Sequence, residues 1–140
     1  MALIRARERF LMASTWAKSK IAIVLVGAAV ALPLPAHATP AFSCAYRFVA
    51  WTGSFNAELA ITNNGPAINS WRAHWTFSTA TTNLVGWQAK LHQQTPYDLT
   101  ASNMPWNGTI PSGGVTTFGW TAFAVTTAAP TDITVNGIPC

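Results

Sequence analysis

In Trp71-Arg-Ala-His-Trp-Thr-Phe77 the apolar residues Trp71, Ala73, Trp75 and Phe77 take every second position, and Arg72, His74 and Thr76 take the alternate ones. A period of two turns successive side chains to opposite faces of an extended chain, so this stretch reads as a strand with one buried, aromatic side. Phe55-Asn-Ala-Glu-Leu-Ala-Ile-Thr62 repeats the pattern. Phe55, Ala57, Leu59 and Ile61 point one way, Asn56, Glu58, Ala60 and Thr62 the other, and Asn63-Asn-Gly-Pro66 makes a turn. Residues 97–103, 116–123 and 131–136 are further strand candidates. Turn chemistry at Thr95-Pro96, Asn107-Gly108, Pro111-Ser-Gly-Gly114 and Ala129-Pro130 separates them. From Thr39 onward threonine occurs 17 times and no stretch carries a helical period. Threonine and aromatic residues suit pleated, half-buried surfaces. Short strands at this spacing, without helices between them, predict an all-β antiparallel sandwich of two sheets.

The chain has 140 residues, room for one domain, and a formal net charge of +4. That charge is unevenly placed: Arg5, Arg7, Arg9, Lys18 and Lys20 lie with Glu8 in the first 38 residues. Beyond them Arg47, Arg72 and Lys90 balance Glu58, Asp98 and Asp132. Three scattered basic residues on a neutral body make no track for a phosphate backbone, so nucleic acid and anionic membrane surfaces are not expected as partners.

Within the basic end, Ile21-Ala-Ile-Val-Leu-Val-Gly-Ala-Ala-Val-Ala-Leu32 is apolar for 12 residues and is then broken by Pro33 and Pro35. A bilayer span needs about 20 residues. Ala36-His-Ala38 follows, with small residues at the two positions a signal peptidase reads. Residues 1–38 are therefore expected to be a cleaved secretory signal peptide, and residues 39–140 a secreted, extracellular, monomeric domain. The two cysteines, Cys44 and Cys140, lie near opposite ends of that domain. In an oxidising compartment such an isolated pair reads as a disulfide.

Six tryptophans fall within residues 39–140. Trp71, Trp75 and Trp120 lie in alternating runs in phase with Phe77 and Phe118 and read as core. Trp51, Trp87 and Trp106 sit instead in Ala50-Trp-Thr-Gly-Ser54, Val85-Gly-Trp-Gln88 and Asn103-Met-Pro-Trp-Asn-Gly108, beside turn-forming and polar residues where a buried indole is not expected. Three such rings make an exposed apolar patch, the mark of a contact surface. A flat indole face matches the C–H face of a pyranose ring, whose hydroxyls then point outward toward polar side chains. Single-stranded nucleic acid also stacks on aromatics, but it needs a cationic groove beside them. A neutral, insoluble polysaccharide fits an aromatic surface that carries almost no charge.

Cys44, Trp51-Thr-Gly-Ser-Phe55, Ile61-Thr-Asn63, the Trp71–Phe77 run, Gly86-Trp87, Asn103-Met-Pro-Trp-Asn-Gly-Thr-Ile-Pro-Ser-Gly-Gly114, Phe118-Gly-Trp120 and Val135-Asn-Gly-Ile-Pro-Cys140 together resemble a family 2 carbohydrate-binding module. The resemblance runs from Cys44 to Cys140, and its most specific pieces are Pro105-Trp-Asn-Gly-Thr-Ile110 and Asn136-Gly-Ile-Pro-Cys140. It implies an immunoglobulin-like β-sandwich of about nine strands with its terminal cysteines joined. It also implies a flat face on which Trp51, Trp87 and Trp106 stack on cellulose or chitin. Hydrogen-bonding positions of that face match Glu58, Thr117 and Thr121, and strand parity turns all three outward. Gln88 and Asn107 adjoin two of the rings as further polar contacts. Xylan-binding members tend to carry Arg where this chain has Ser54, and they lack the loop bearing the middle Trp, so Ser54 and Trp87 side with the flat, cellulose-type surface. Thr121-Ala-Phe-Ala124 stands where the family commonly has Asn-Gly.

Three other readings are weighed against this one. Glycoside hydrolysis needs two carboxylates about 5–10 Å apart, and Glu58, Asp98 and Asp132 fall on three separate predicted strands, so no enzyme activity is expected even if the chain is an accessory or a piece of a hydrolase. Cleavage after Ala36 would expose His37 as an N-terminal copper ligand with His74 or His92, but peptidase preference favours Ala38, and neither a metal nor a cofactor is expected. An adhesive sandwich that docks a protein on its Trp face is the third. Asn107-Gly-Thr109 fits the N-glycosylation pattern, a tripeptide common by chance.

Overall fold

A computed structural model describes Gly27 and residues 29–140, so the basic segment and seven of the twelve residues of the apolar run of the expected signal peptide lie outside the described residues. All strands belong to one compact unit, His37–Cys140. Among the described residues there are nine strands and no helix: β1 Phe42–Trp51, β2 Ser54–Asn63, β3 Arg72–Thr76, β4 Thr82–Trp87, β5 Ala89–His92, β6 Asp98–Asn103, β7 Val115–Phe123, β8 Thr134–Val135 and β9 Ile138–Pro139. They form two antiparallel sheets, ordered β1-β2-β7-β4 and β5-β6-β3-β8-β9. The expected sandwich with its Cys44–Cys140 disulfide is the observed architecture.

Strands β2, β3, β6 and β7 fall within a residue or so of the runs read from the alternation. The expected strand at 131–136 shrinks to Thr134–Val135. The reason is local: Asp132 accepts hydrogen bonds from the Thr76 amide and hydroxyl, and Asn136 and Gly137, at φ 51° and 79°, turn the chain into β9.

The core lies where the two sheets meet, and its rings come from both. Trp71, just before β3, stacks on Phe118 of β7 at 5.0 Å and 19°, and Trp75 of β3 meets Trp120 of β7 at 5.0 Å. Trp71, Trp75, Trp120, Phe55 and Phe118 are among the largest fully buried side chains. Interleaved aromatics of this kind bury much apolar area and gain beyond it from their edge and offset contacts. They hold the sheets in a fixed relation, so the outer face of each sheet is a rigid platform.

Candidate functional site

The outer face of β1-β2-β7-β4 is set by register. One cross-strand row reads Trp51, Ser54, Phe123 and Thr82; the next reads Val49, Asn56, Thr121 and Val85; the third reads Arg47, Glu58, Gly119 and Trp87. Ala45, Ala60 and Thr117 continue the series. Neighbours in a row are about 4.8 Å apart, and successive rows lie about 6–7 Å apart along the strands. Trp51 and Trp87 thus occupy opposite corners of one flat surface, with Asn56 and Thr121 between them.

Trp51 ends β1 at the two-residue turn Thr52-Gly53, where Gly53 takes φ 78°. Trp87 ends β4 and lies flat because nothing stands under it: a Cβ on Gly119 would come within 2.2 Å of its Cζ2. Although both adjoin turn-forming residues in sequence, they are strand ends, with ladder pairing that fixes their direction. Only Trp106 stands on a loop.

That loop is fastened by polar groups whose partners lie far away in sequence. Trp106 Nε1 donates to Gln88 Oε1 at 2.9 Å, and Asn107 Nδ2 donates to the Gln88 carbonyl at 2.7 Å. Asn107 Oδ1 accepts the Met104 amide, and the Asn107 carbonyl accepts Trp71 Nε1. Asn103 Oδ1 takes the Trp71 amide, and Ile68 and Ile110 form a bridge beyond. Gln88 itself has φ 63°, an uncommon conformation for a side-chain-bearing residue, at the step where the chain leaves β4 in one sheet and enters β5 in the other. Gln88 Oε1 and both side-chain atoms of Asn107 are thus engaged in holding the loop, while Gln88 Nε2 makes no hydrogen bond among the described residues. Both residues hold the Trp106 loop in place beside the ring of Trp87.

All three rings are open to solvent: Trp51 is 52 % exposed, Trp87 44 % and Trp106 67 %, whereas Trp71, Trp75 and Trp120 are at most 2 %. Glu58 and Thr117 are exposed on the same face and Thr121 is half-buried there. The structure adds Asn56, which the parity of Phe55–Thr62 had already turned outward, and Arg47, directly across from Glu58. Arg47, Val49, Asn56, Glu58 and Trp87 line a shallow groove.

The other titratable groups lie elsewhere. Asp98, on β6 of the second sheet, accepts the Thr95 and Gln94 amides, which hold its carboxyl below the ordinary 3.8. Burial raises the Asp132 carboxyl, but the Thr76 hydroxyl and amide outweigh it and hold that group below 3.8 as well. Glu58 lies on the first sheet, Asp98 on the second and Asp132 in the segment before β8, and neither aspartate is tuned upward as a general acid must be. His74 and His92 flank Thr100 from opposite strands. Among the described residues no group of three or more His, Cys, Asp and Glu could hold a metal ion.

A platform of this kind has relatives. Exoglucanase A of Cellulomonas fimi is 33% identical over 97 residues, covering 68% of this chain and 11% of that enzyme. Endoglucanase C of Cellvibrio japonicus is 40% identical over 93 residues, covering 64% of this chain and 12% of that enzyme. The chain thus spans only between 10% and 26% of the length of such curated relatives. Among solved structures, the chitin-binding domain of Chi18aC from Streptomyces coelicolor superposes with a TM-score of 0.59 at 25% identity, over 71% of this chain and 94% of that domain. The family model described as cellulose binding domain matches residues 42–140. With nearly the whole sandwich inside that match, the chain belongs to the cellulose binding domain family, the family 2 carbohydrate-binding modules.

Proposed function

We propose that this protein is a non-catalytic module that adsorbs to an insoluble, neutral, β-linked polysaccharide, cellulose or chitin, by stacking Trp51, Trp87 and Trp106 on successive sugars. The observation that carries this reading is the presence of three solvent-open indoles, two on strand ends at opposite corners of one sheet face and the third on a loop tied to Gln88, the residue after Trp87. Glu58, Thr117, Thr121 and Asn56 supply hydrogen bonds to hydroxyls between the rings. Membership of the family and the nature of its relatives, glucanases on one side and a chitin-binding domain on the other, support the ligand class. Residues 1–38 act as an export signal, and residues 39–140 work outside the cell, where the polymer is and where the disulfide persists.

Incubation of the purified protein with cellulose, chitin and xylan, followed by sedimentation, tests this. Depletion from solution by cellulose or chitin, with no reducing sugar released, is the expected result. Release of sugar, or equal recovery in the supernatant with all three polymers, would sink it.

A further inference from the structure

Phe123 is a fourth aromatic ring on the same face, and the Trp line does not use it. It closes β7, pairs with Ser54 on one side and Thr82 on the other, and is 53 % exposed, as open as Trp51. It shares its cross-strand row with Trp51 but stands two strands away, about 10 Å. The Trp line leaves that row at once: it runs diagonally from Trp51 to the ring of Trp87 over Gly119, two rows further along. Phe123 therefore lies to one side of the line, by roughly the width of a sugar chain. Beside it Gly53, Ala80, Thr82, Ala124 and Val125 complete a shallow apolar groove, and Val125 is 86 % exposed. The Ala124 amide donates to the Gly53 carbonyl, tying this corner to the turn that carries Trp51. A ring and a valine left bare together, on a surface continuous with a stacking platform, mark an extension of that contact.

A single polymer chain lying along the three indoles cannot also reach Phe123. In an ordered solid, however, chains lie side by side in sheets, and the neighbour of the stacked chain passes over this corner. We infer that Phe123, with Val125, forms a second-chain subsite that rests on the C–H face of the polysaccharide chain adjacent to the one held by the tryptophans, so that the module grips aligned pairs of chains. This rests on the stacking role proposed for Trp51, Trp87 and Trp106.

Adsorption isotherms on a crystalline polymer and on the same polymer swollen to an amorphous gel, in which neighbouring chains are no longer aligned, separate the two contacts. The polymer is whichever of cellulose and chitin retains the wild type more strongly. Phe123→Ala is expected to weaken binding to the crystalline form roughly threefold to tenfold. It should leave binding to the gel within about twofold, and Phe123→Trp should restore the crystalline affinity. Trp51→Ala should weaken both. Thermal unfolding of Phe123→Ala should match wild type, since the ring is half in solvent. A crystalline isotherm for Phe123→Ala that coincides with wild type, or equal losses on crystal and gel, would overturn the subsite while leaving the stacking role of the tryptophans standing. If Trp51→Ala also keeps full retention on both forms, the platform reading itself fails along with the subsite.

Discussion

Gly119 shows how one missing side chain shapes the site. A Cβ there would sit 2.2 Å from Trp87 Cζ2 and 2.7 Å from the Ala57 carbonyl, so a methyl must displace either the indole or a strand. Gly119→Ala is expected to destabilise the fold by about 1–3 kcal/mol and to lower retention on polymer more than stability loss explains. Urea unfolding set beside an adsorption isotherm reads both. Gln88 gives the opposite split. Its φ of 63° suits glycine, while its side chain holds Trp106, so Gln88→Gly is expected to leave the melting temperature nearly unchanged and to weaken adsorption. Unaltered adsorption by Gln88→Gly would mean that Trp106 needs no anchor. The exposure of Trp51, Trp87 and Trp106 was legible from their neighbours in sequence, and the outward aim of Glu58, Thr117 and Thr121 from parity. The commitment of Gln88 and Asn107 was not, because Trp106 and Gln88 are 18 residues apart and meet only after the two sheets pack.

Among the strands, β2 and β3 were readable because one side is buried throughout and the other is wet, which writes the period of two into the residue types. Strand β1 escaped because it is an edge strand: from Arg47 to Trp51 it is exposed on both sides, and Phe48, Val49 and Ala50 run together without contrast. Strands β4 and β5 are short, mostly exposed and joined by a single strained residue, so neither shows alternation. The short β8 is held to β3 in part by Asp132, and that contact gives a pH signature. The folded carboxyl titrates below 3.8, so its stabilisation is fully present above the ordinary aspartate value and disappears as pH falls through the lower, folded value. Asp132→Ala is expected to cost about 1 kcal/mol at pH 7, and the difference from wild type should close below pH 3.8. Denaturant unfolding at a series of pH values checks it; a gap that persists at the acid end would deny the carboxylate its role.

For the whole molecule, the +4 of the sequence sits in the first 38 residues, and residues 39–140 balance three basic against three acidic side chains, with Arg47 directly across from Glu58. The disulfide joins the first strand to the last residue across a separation of 96 and restrains the unfolded chain. Reduction, or Cys44→Ala with Cys140→Ala, is expected to lower stability by up to about 4–5 kcal/mol, seen as a lower urea midpoint with a slope at least as steep, because the unfolded chain expands. Because the disulfide and the aromatic core support the platform without belonging to it, the tryptophans can be divided by experiment into those that build the sandwich and those that use it. The most direct test is a set of adsorption isotherms on insoluble cellulose and chitin for wild type, Trp51→Ala, Trp87→Ala, Trp106→Ala and the core substitution Trp75→Phe, each with its unfolding curve. The three surface substitutions are expected to weaken adsorption roughly tenfold or more with folding intact, and Trp75→Phe to lower stability by about 1–3 kcal/mol with adsorption of the folded fraction retained. Undiminished adsorption by all three surface variants would contradict the stacking face.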